Sequence, residues 1–330
     1  MVTTTPAAAD RIAARFPLHL IALGVLFYGT GPVLARSSQT TGVLISFWRL
    51  WFGAAVLAVS LAVHRLSGRS FGSARGLRWA MLAGLAFSFN QVLFFTAIKR
   101  TSVVDASLMG TLSPILVAII AIPLFGERPA PAFRAWSVLT MAGAAFVVLG
   151  SSAGPTGDLL GMIMALGSTA CFAMFFIISK VSRDELAVVA FLTTVMSTAA
   201  VLVSIFVLAI GLSPGSVGGP DLWRALAMAI VPGTLGHVAM TWPLNYVPAN
   251  VPPLMRLAGP VVSGGLAWIF LGEGITWVHL VGGLIITMGL AGAIRSKAGQ
   301  QLVADARATP VSSAPSTPSA PSTPPTTGPR

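Results

Sequence analysis

Apolar residues come along this chain in long blocks of about 17 to 24, separated by short stretches in which the charged residues gather. At a rise of 1.5 Å per helical residue, such a block crosses a hydrocarbon core of about 30 Å. Ten blocks are present, at residues 17–35, 43–63, 77–98, 105–125, 134–150, 157–179, 188–211, 222–245, 250–271 and 278–294. The pattern predicts an all-α integral membrane protein of ten transmembrane helices with short connections. The first block, preceded by Arg11 and Arg15, is long enough to span and is read as a retained membrane helix, not a cleaved leader. Residues 1–16 are expected to form a cytoplasmic N-terminal segment. The stretch 299–330, rich in Pro, Ser and Thr, has no apolar face to bury and is expected to be a disordered cytoplasmic tail.

The blocks are not independent of one another. Pro114 and Pro260, Gly126-Glu127 and Gly272-Glu273, and Gly143 and Gly289 all stand 146 residues apart. The same offset places Leu108-Met109 on Leu254-Met255 and Gln91 on His237. The chain therefore divides into a first five-helix repeat, 17–150, and a second, 157–295. Five is odd, so with short connections the second repeat enters the membrane from the opposite side. The expected architecture is two inverted five-helix repeats, an arrangement that lets two halves rock about a midplane site.

Composition sharpens the class. The chain is 55% hydrophobic and 9% charged, whereas soluble domains carry roughly 25% charged residues. The net charge of +11 is scattered between apolar runs, with no basic stripe interleaved with aromatics, so no nucleic-acid partner is expected. The charge instead reads as topology. With a cytoplasmic N-terminus, fourteen Lys and Arg fall inside (among them Arg65, Arg69, Arg75, Arg78, Arg128, Arg134, Lys180 and Arg295) and four outside (Arg36, Lys99, Arg100 and Arg224). That bias places both termini in the cytoplasm of a multi-pass cell-membrane protein. The lone Cys171 excludes an intrachain disulfide, and neither a metal cluster nor any cofactor motif is present.

Leu112-Ser113-Pro114 leading to Leu124-Phe125-Gly126-Glu127-Arg128-Pro129, and Gly259-Pro260 leading to Phe270-Leu271-Gly272-Glu273, resemble the EamA-type branch of the drug/metabolite transporter superfamily. The similarity covers about residues 17–295. It implies movement of small metabolites, often amino acids or related compounds, by alternating access through a cavity lined largely by helices 1, 3, 4, 6, 8 and 9, with export the direction expected of the family. Many members carry Glu immediately before the ninth-helix proline; here Gly259 stands there, so a coupling carboxylate at that place is missing.

Polar groups within spans cost a few kcal/mol unless they face protein or water, which makes each a functional candidate. Arg256 lies about six residues, or roughly 9 Å, into the ninth span. It reads as a bidentate clamp for a substrate carboxylate, or as a residue snorkelling to the interface. His237, with Thr241 one turn further along the eighth span, and its counterpart Gln91 beside Asn90 are candidate cavity-lining groups. Pro114, Pro260 and Pro232 are expected to kink their helices and shape the cavity wall. Arg49, with Trp48 beside it, reads as an interfacial anchor or gate, as do Trp242 and Tyr246. Glu127 and Glu273 read as family markers that cap the helix following each.

These residues favour a secondary transporter for a small carboxylate-bearing metabolite, working as a monomer or homodimer in the lipid bilayer. An organic-cation efflux protein or a lipid flippase on the same scaffold is the alternative. Enzymatic activity is not expected, because the nine acidic residues all fall in tails, loops or span ends and the four His are scattered.

Overall fold

The structure, a computed structural model, describes residues 17–66, 72–113, 115–116, 131–152, 158–183, 185–186, 188–236, 239 and 258–295. Ten helices lie among them: α1 (Pro17–Ser37), α2 (Gly42–Leu66), α3 (Ala74–Arg100), α4 (Val103–Gly110), α5 (Pro131–Ser152), α6 (Leu159–Arg183), α7 (Val188–Ala209), α8 (Gly219–Ile230), α9 (Gly259–Leu271) and α10 (Trp277–Arg295). Helices and apolar blocks coincide to within a few residues wherever both can be compared. α1, α2, α3 and α7 are long and apolar enough to cross a membrane; α5, α6, α9 and α10 hold shorter apolar runs. The segments 1–16 and 299–330 lie outside the described residues, as do Pro114, Glu127, His237, Thr241, Trp242, Tyr246 and Arg256.

The duplication is visible in where helices begin and in what they touch. α2 and α7 start at Gly42 and Val188, and α5 and α10 at Pro131 and Trp277, each pair 146 residues apart. The most extensive contacts between the halves either join equivalent helices (α2 with α7, α4 with α9, α5 with α10) or come in exchanged pairs. Thus α3 packs on α6 as α8 packs on α1, and α1 packs on α9 as α6 packs on α4. Along the α5–α10 seam Gly150 faces Val278, Gly143 faces Ile285, Gly289 faces Thr140 and Gly292 faces Trp136. Numbers rise on one helix as they fall on the other, so the equivalent helices run antiparallel. That is the inverted arrangement the odd helix count requires.

Small residues set the spacing of this seam, since a Cβ on Gly143 would come within 2.8 Å of Ile285 Cγ2. Two apolar clusters fill the interior, one around Ile98, Leu108, Leu112, Met228 and Ile286 and one around Leu50, Phe87, Phe191 and Val203. Outward-facing Val59, Phe89, Ile163, Leu208, Trp268, Phe270 and Leu284 are exposed, a surface suited to lipid and not to water.

Two of the predicted proline kinks fall in the described chain, and they differ. α8 widens at Val231–Leu235 into a π turn, where Pro232 has no N–H to give and Thr234 Oγ1 donates to the Ala229 carbonyl at 3.0 Å. Pro232 packs there against Gly31 of α1. Pro260 sits in the first turn of the described α9, where a missing N–H costs nothing.

At the α2–α3 crossing Gly42 rests directly on the Phe95 carbonyl, and a Cβ would overlap that backbone. Gly42→Val is expected to destabilise the detergent-solubilised protein by about 1–3 kcal/mol. Gly53→Ala, whose Cβ would meet only Met196 Sδ at 3.7 Å, should leave thermal unfolding near wild type.

Candidate functional site

The polar groups of α2 and α3 meet inside the bundle. Arg49 is about 10 Å along α2 from its start, and Gln91 about 14 Å along α3 from Arg100. Arg49 Nη1 donates to Gln91 Oε1 in a short hydrogen bond. Gln91 Nε2 donates to Asn90 Oδ1 at 3.0 Å, and Asn90 Nδ2 donates to Ser168 Oγ on α6 at 2.9 Å and to its carbonyl at 3.0 Å. Ser46 Oγ donates to the Gln91 carbonyl at 3.1 Å, binding α2 to α3 one turn from Arg49. The guanidinium lies over the Phe95 ring, 5.4 Å from its centroid. Tyr28 of α1 is near enough to couple electrostatically, and Gly233 of the π turn abuts Nη2. Both repeats therefore contribute: α1, α2 and α3 from the first, α6 and the end of α8 from the second.

One end of the bundle, formed by the α1–α2 and α3–α4 turns with the starts of α6, α8 and α10, is laced by charge. Arg36 Nε stands 3.2 Å from Glu273 Oε1, and the other carboxylate oxygen accepts from the Val103 amide at 2.8 Å. Gly272 makes this possible: at φ 68° it closes α9 in the left-handed conformation and turns Glu273 toward the first repeat. Arg100 pairs with Asp158 at 2.5 Å. Asp221 accepts from the amides of Gln39 and Thr40 at 2.9 and 2.8 Å, and holds Arg224 at 2.6 Å.

Beneath them lies a buried pair. His279 Nδ1 accepts the Thr276 amide proton at 3.0 Å, which leaves Nε2 to donate to Asp105 Oδ1 at 3.1 Å. The second Asp105 oxygen accepts from Ser102 at 2.7 Å and Thr101 at 3.3 Å. Each of the contacts Arg36–Glu273, Arg100–Asp158, Asp221–Gln39/Thr40 and Asp105–His279 crosses from one repeat to the other.

The opposite end is tied more lightly among the described residues. Arg75 stands 3.5 Å from Glu185, whose backbone carbonyl accepts from the Ser73 amide at 3.2 Å. Under the 146-residue offset Arg75 corresponds to Asp221 and Glu185 to Gln39, so one structural position carries a different link at each end.

The sequence profile of the EamA-like transporter family matches residues 15–149 and again 159–295, one copy on each half. The chain belongs to the EamA-like transporter family. Relatives in this family include a protein of Archaeoglobus fulgidus named "uncharacterized transporter", 27% identical over 280 residues, spanning 84% of this chain and 95% of the relative. Another is the "uncharacterized transporter YwfM" of Bacillus subtilis strain 168, 24% identical over 279 residues, spanning 82% of this chain and 90% of its own length. A solved structure titled "Crystal structure of protein" shares the fold with a TM-score of 0.58 at 20% identity, covering 84% of this chain and 97% of its own.

For an EamA-like transporter the placement of the sequence candidates is informative. Asn90 and Gln91 do sit together at the interface between the halves. Arg49, read as an interfacial anchor or gate, turns its guanidinium inward onto Gln91. Trp48 is likewise internal, donating to the Pro214 carbonyl at 3.2 Å and stacking on Phe52. Glu273 caps α4 of the other repeat, not the helix that follows it. Nothing in the sequence marks Asp105, His279, Asp221 and Ser168 as partners, because the groups they meet lie 78 to 182 residues away. Local traces exist for Asp105, in the Ser102-x-x-Asp105 spacing of a helix start, and for Asp221, in its three-residue spacing from Arg224.

Asp105→Ala removes the partner of a buried imidazole and of two hydroxyls. It is expected to cost about 1–3 kcal/mol. Asp158→Ala, in a half-exposed pair, should cost at most about 1 kcal/mol. Unfolding of the two variants in detergent compares them directly.

Proposed function

We propose that this EamA-like protein is a secondary transporter that moves a small carboxylate-bearing metabolite, such as an amino acid, out of the cell by alternating access. The laced end faces outward and both termini lie in the cytoplasm. The observation that carries this reading is the set of charged links from repeat to repeat (Arg36–Glu273, Arg100–Asp158, Asp221–Gln39/Thr40 and Asp105–His279) that closes one end of the bundle over an interior polar cluster. Two antiparallel halves joined in this way open toward one side only by separating at that end. Breaking the links exposes the cluster from outside, and re-forming them commits it to the cytoplasmic side.

The orientation rests on the excess of Lys and Arg at the unlaced end. Outward direction follows the expectation attached to the family resemblance. A carboxylate is favoured over an organic cation because a cationic substrate would meet Arg49 as a like charge in a medium of low dielectric.

In a Cys171→Ser background, Tyr28→Cys beside Arg49 reports which side reaches the cluster. A membrane-impermeant maleimide is expected to label it from the cytoplasmic side only, and from outside once Glu273→Gln weakens the latch. Labelling from both sides while the latch is intact, as in a channel, or a pattern indifferent to Glu273→Gln, would overturn alternating access at this end.

A further inference from the structure

The guanidinium of Arg49 is held from several sides, and one of its edges is unpartnered among the described residues. Gln91 takes Nη1 and is itself fixed through Asn90 to Ser168 of the other repeat, while the Phe95 ring lies under the guanidinium carbon at 5.4 Å. Nε is buried and has no hydrogen-bond partner, and Nη2 makes no hydrogen bond among the described residues. Nε and Nη2 form one edge of the guanidinium fork, the edge that takes the two oxygens of a carboxylate in parallel. Nη2 lies beside Gly233, where an added Cβ would stand 3.9 Å from it, at van der Waals distance.

No carboxylate among the described residues answers this charge. Arg36, Arg75, Arg100 and Arg224 each have one at 3.5 Å or closer, but no described Asp or Glu pairs with Arg49. The stretch that continues from the π turn, residues 237–257, contains neither Asp nor Glu, so it brings no counter-ion either. A guanidinium remains charged at any working pH and is costly to leave unanswered in a bundle core. A structural arginine at this depth would be matched by an acid, as the four at the helix ends are.

We infer that the Nε/Nη2 edge of Arg49, beside Gly233, is the subsite that binds the carboxylate of the transported metabolite, with Gln91 and Asn90 as the residues that orient it. The inference rests on the transporter reading and adds to it the atom-level place of recognition. Because the clamp is assembled from α2 and α3 of one repeat against α6 and α8 of the other, a bound carboxylate touches both halves that must move.

The test uses the full-length protein in detergent, with the twenty proteinogenic L-amino acids and the decarboxylated amine that corresponds to each. Wild type is expected to be stabilised by at least one amino acid and not by its amine. Arg49→Gln should weaken that binding about 10–100-fold, the loss that goes with a charge-assisted hydrogen bond. Gln91→Glu places a carboxylate on Arg49 from within and should weaken it likewise. Because that variant supplies the missing counter-ion, it stays informative where Arg49→Gln does not fold. Unchanged affinity in either folded variant overturns the Arg49 subsite while leaving carboxylate transport standing. Stabilisation by the amines but by no amino acid overturns the substrate class and the subsite together.

Discussion

A charge taken out of water has to be answered within the protein, and in a chain that is 9% charged and mostly apolar that requirement decides a great deal. The acids that the structure describes lie at helix ends, where Glu273, Asp158, Glu185 and Asp221 meet arginines and Asp105 meets His279. At the laced end Glu273, Asp158 and Asp105 find these partners in the opposite repeat, and Asp221, paired with Arg224 on its own helix, takes the Gln39 and Thr40 amides of the other, because that is where the ends of helices from both halves converge. Ionic contacts thus become the fastening between two bodies whose interior faces are otherwise greasy and non-directional. Dispersion and close packing hold the helices together; the charged links hold one end shut.

The internal symmetry has its own consequence. Two homologous halves inserted in opposite senses give equivalent helices that run antiparallel, and the α5–α10 seam shows it residue by residue. If the halves were identical, both ends would carry the same links and neither state would be favoured. They are not identical: Arg75 and Glu185 at one end correspond to Asp221 and Gln39 at the other, and Asp105–His279 has its counterparts in Val251 and Phe133. Divergence at a few polar positions thus gives the two ends different links, each worth on the order of a kcal/mol.

Much of the fold was legible along the chain. Apolar blocks of membrane-crossing length located the helices, because a bilayer demands about 20 apolar residues wherever a helix crosses it. The Gly-Glu pairs marked the repeat, though not the task of Gly272, whose left-handed backbone aims Glu273 at α4 instead of at α10. The polar cluster was half visible. Asn90 and Gln91 stood out as amides inside a span, while Arg49, seven residues into α2 and flanked by aromatics, carries the pattern of an interfacial anchor. Nothing local separates an arginine that faces headgroups from one that faces Gln91. Rotating the helix by half a turn interchanges them, and only neighbouring helices set that rotation.

The amino-acid sequence by itself determined the class of this protein: an all-α membrane bundle, built twice and inverted, within a transporter family. Those properties depend on hydrophobic length, on recurrence and on an odd helix count, all readable in one dimension. Which charges meet was decided by the tertiary structure alone. The pairing of Asp105 with His279, of Arg36 with Glu273, and of Arg49 with an amide instead of an acid joins residues 42 to 237 positions apart. A distance of a few ångströms between such groups is a property of how the helices pack, and no spacing along the chain encodes it.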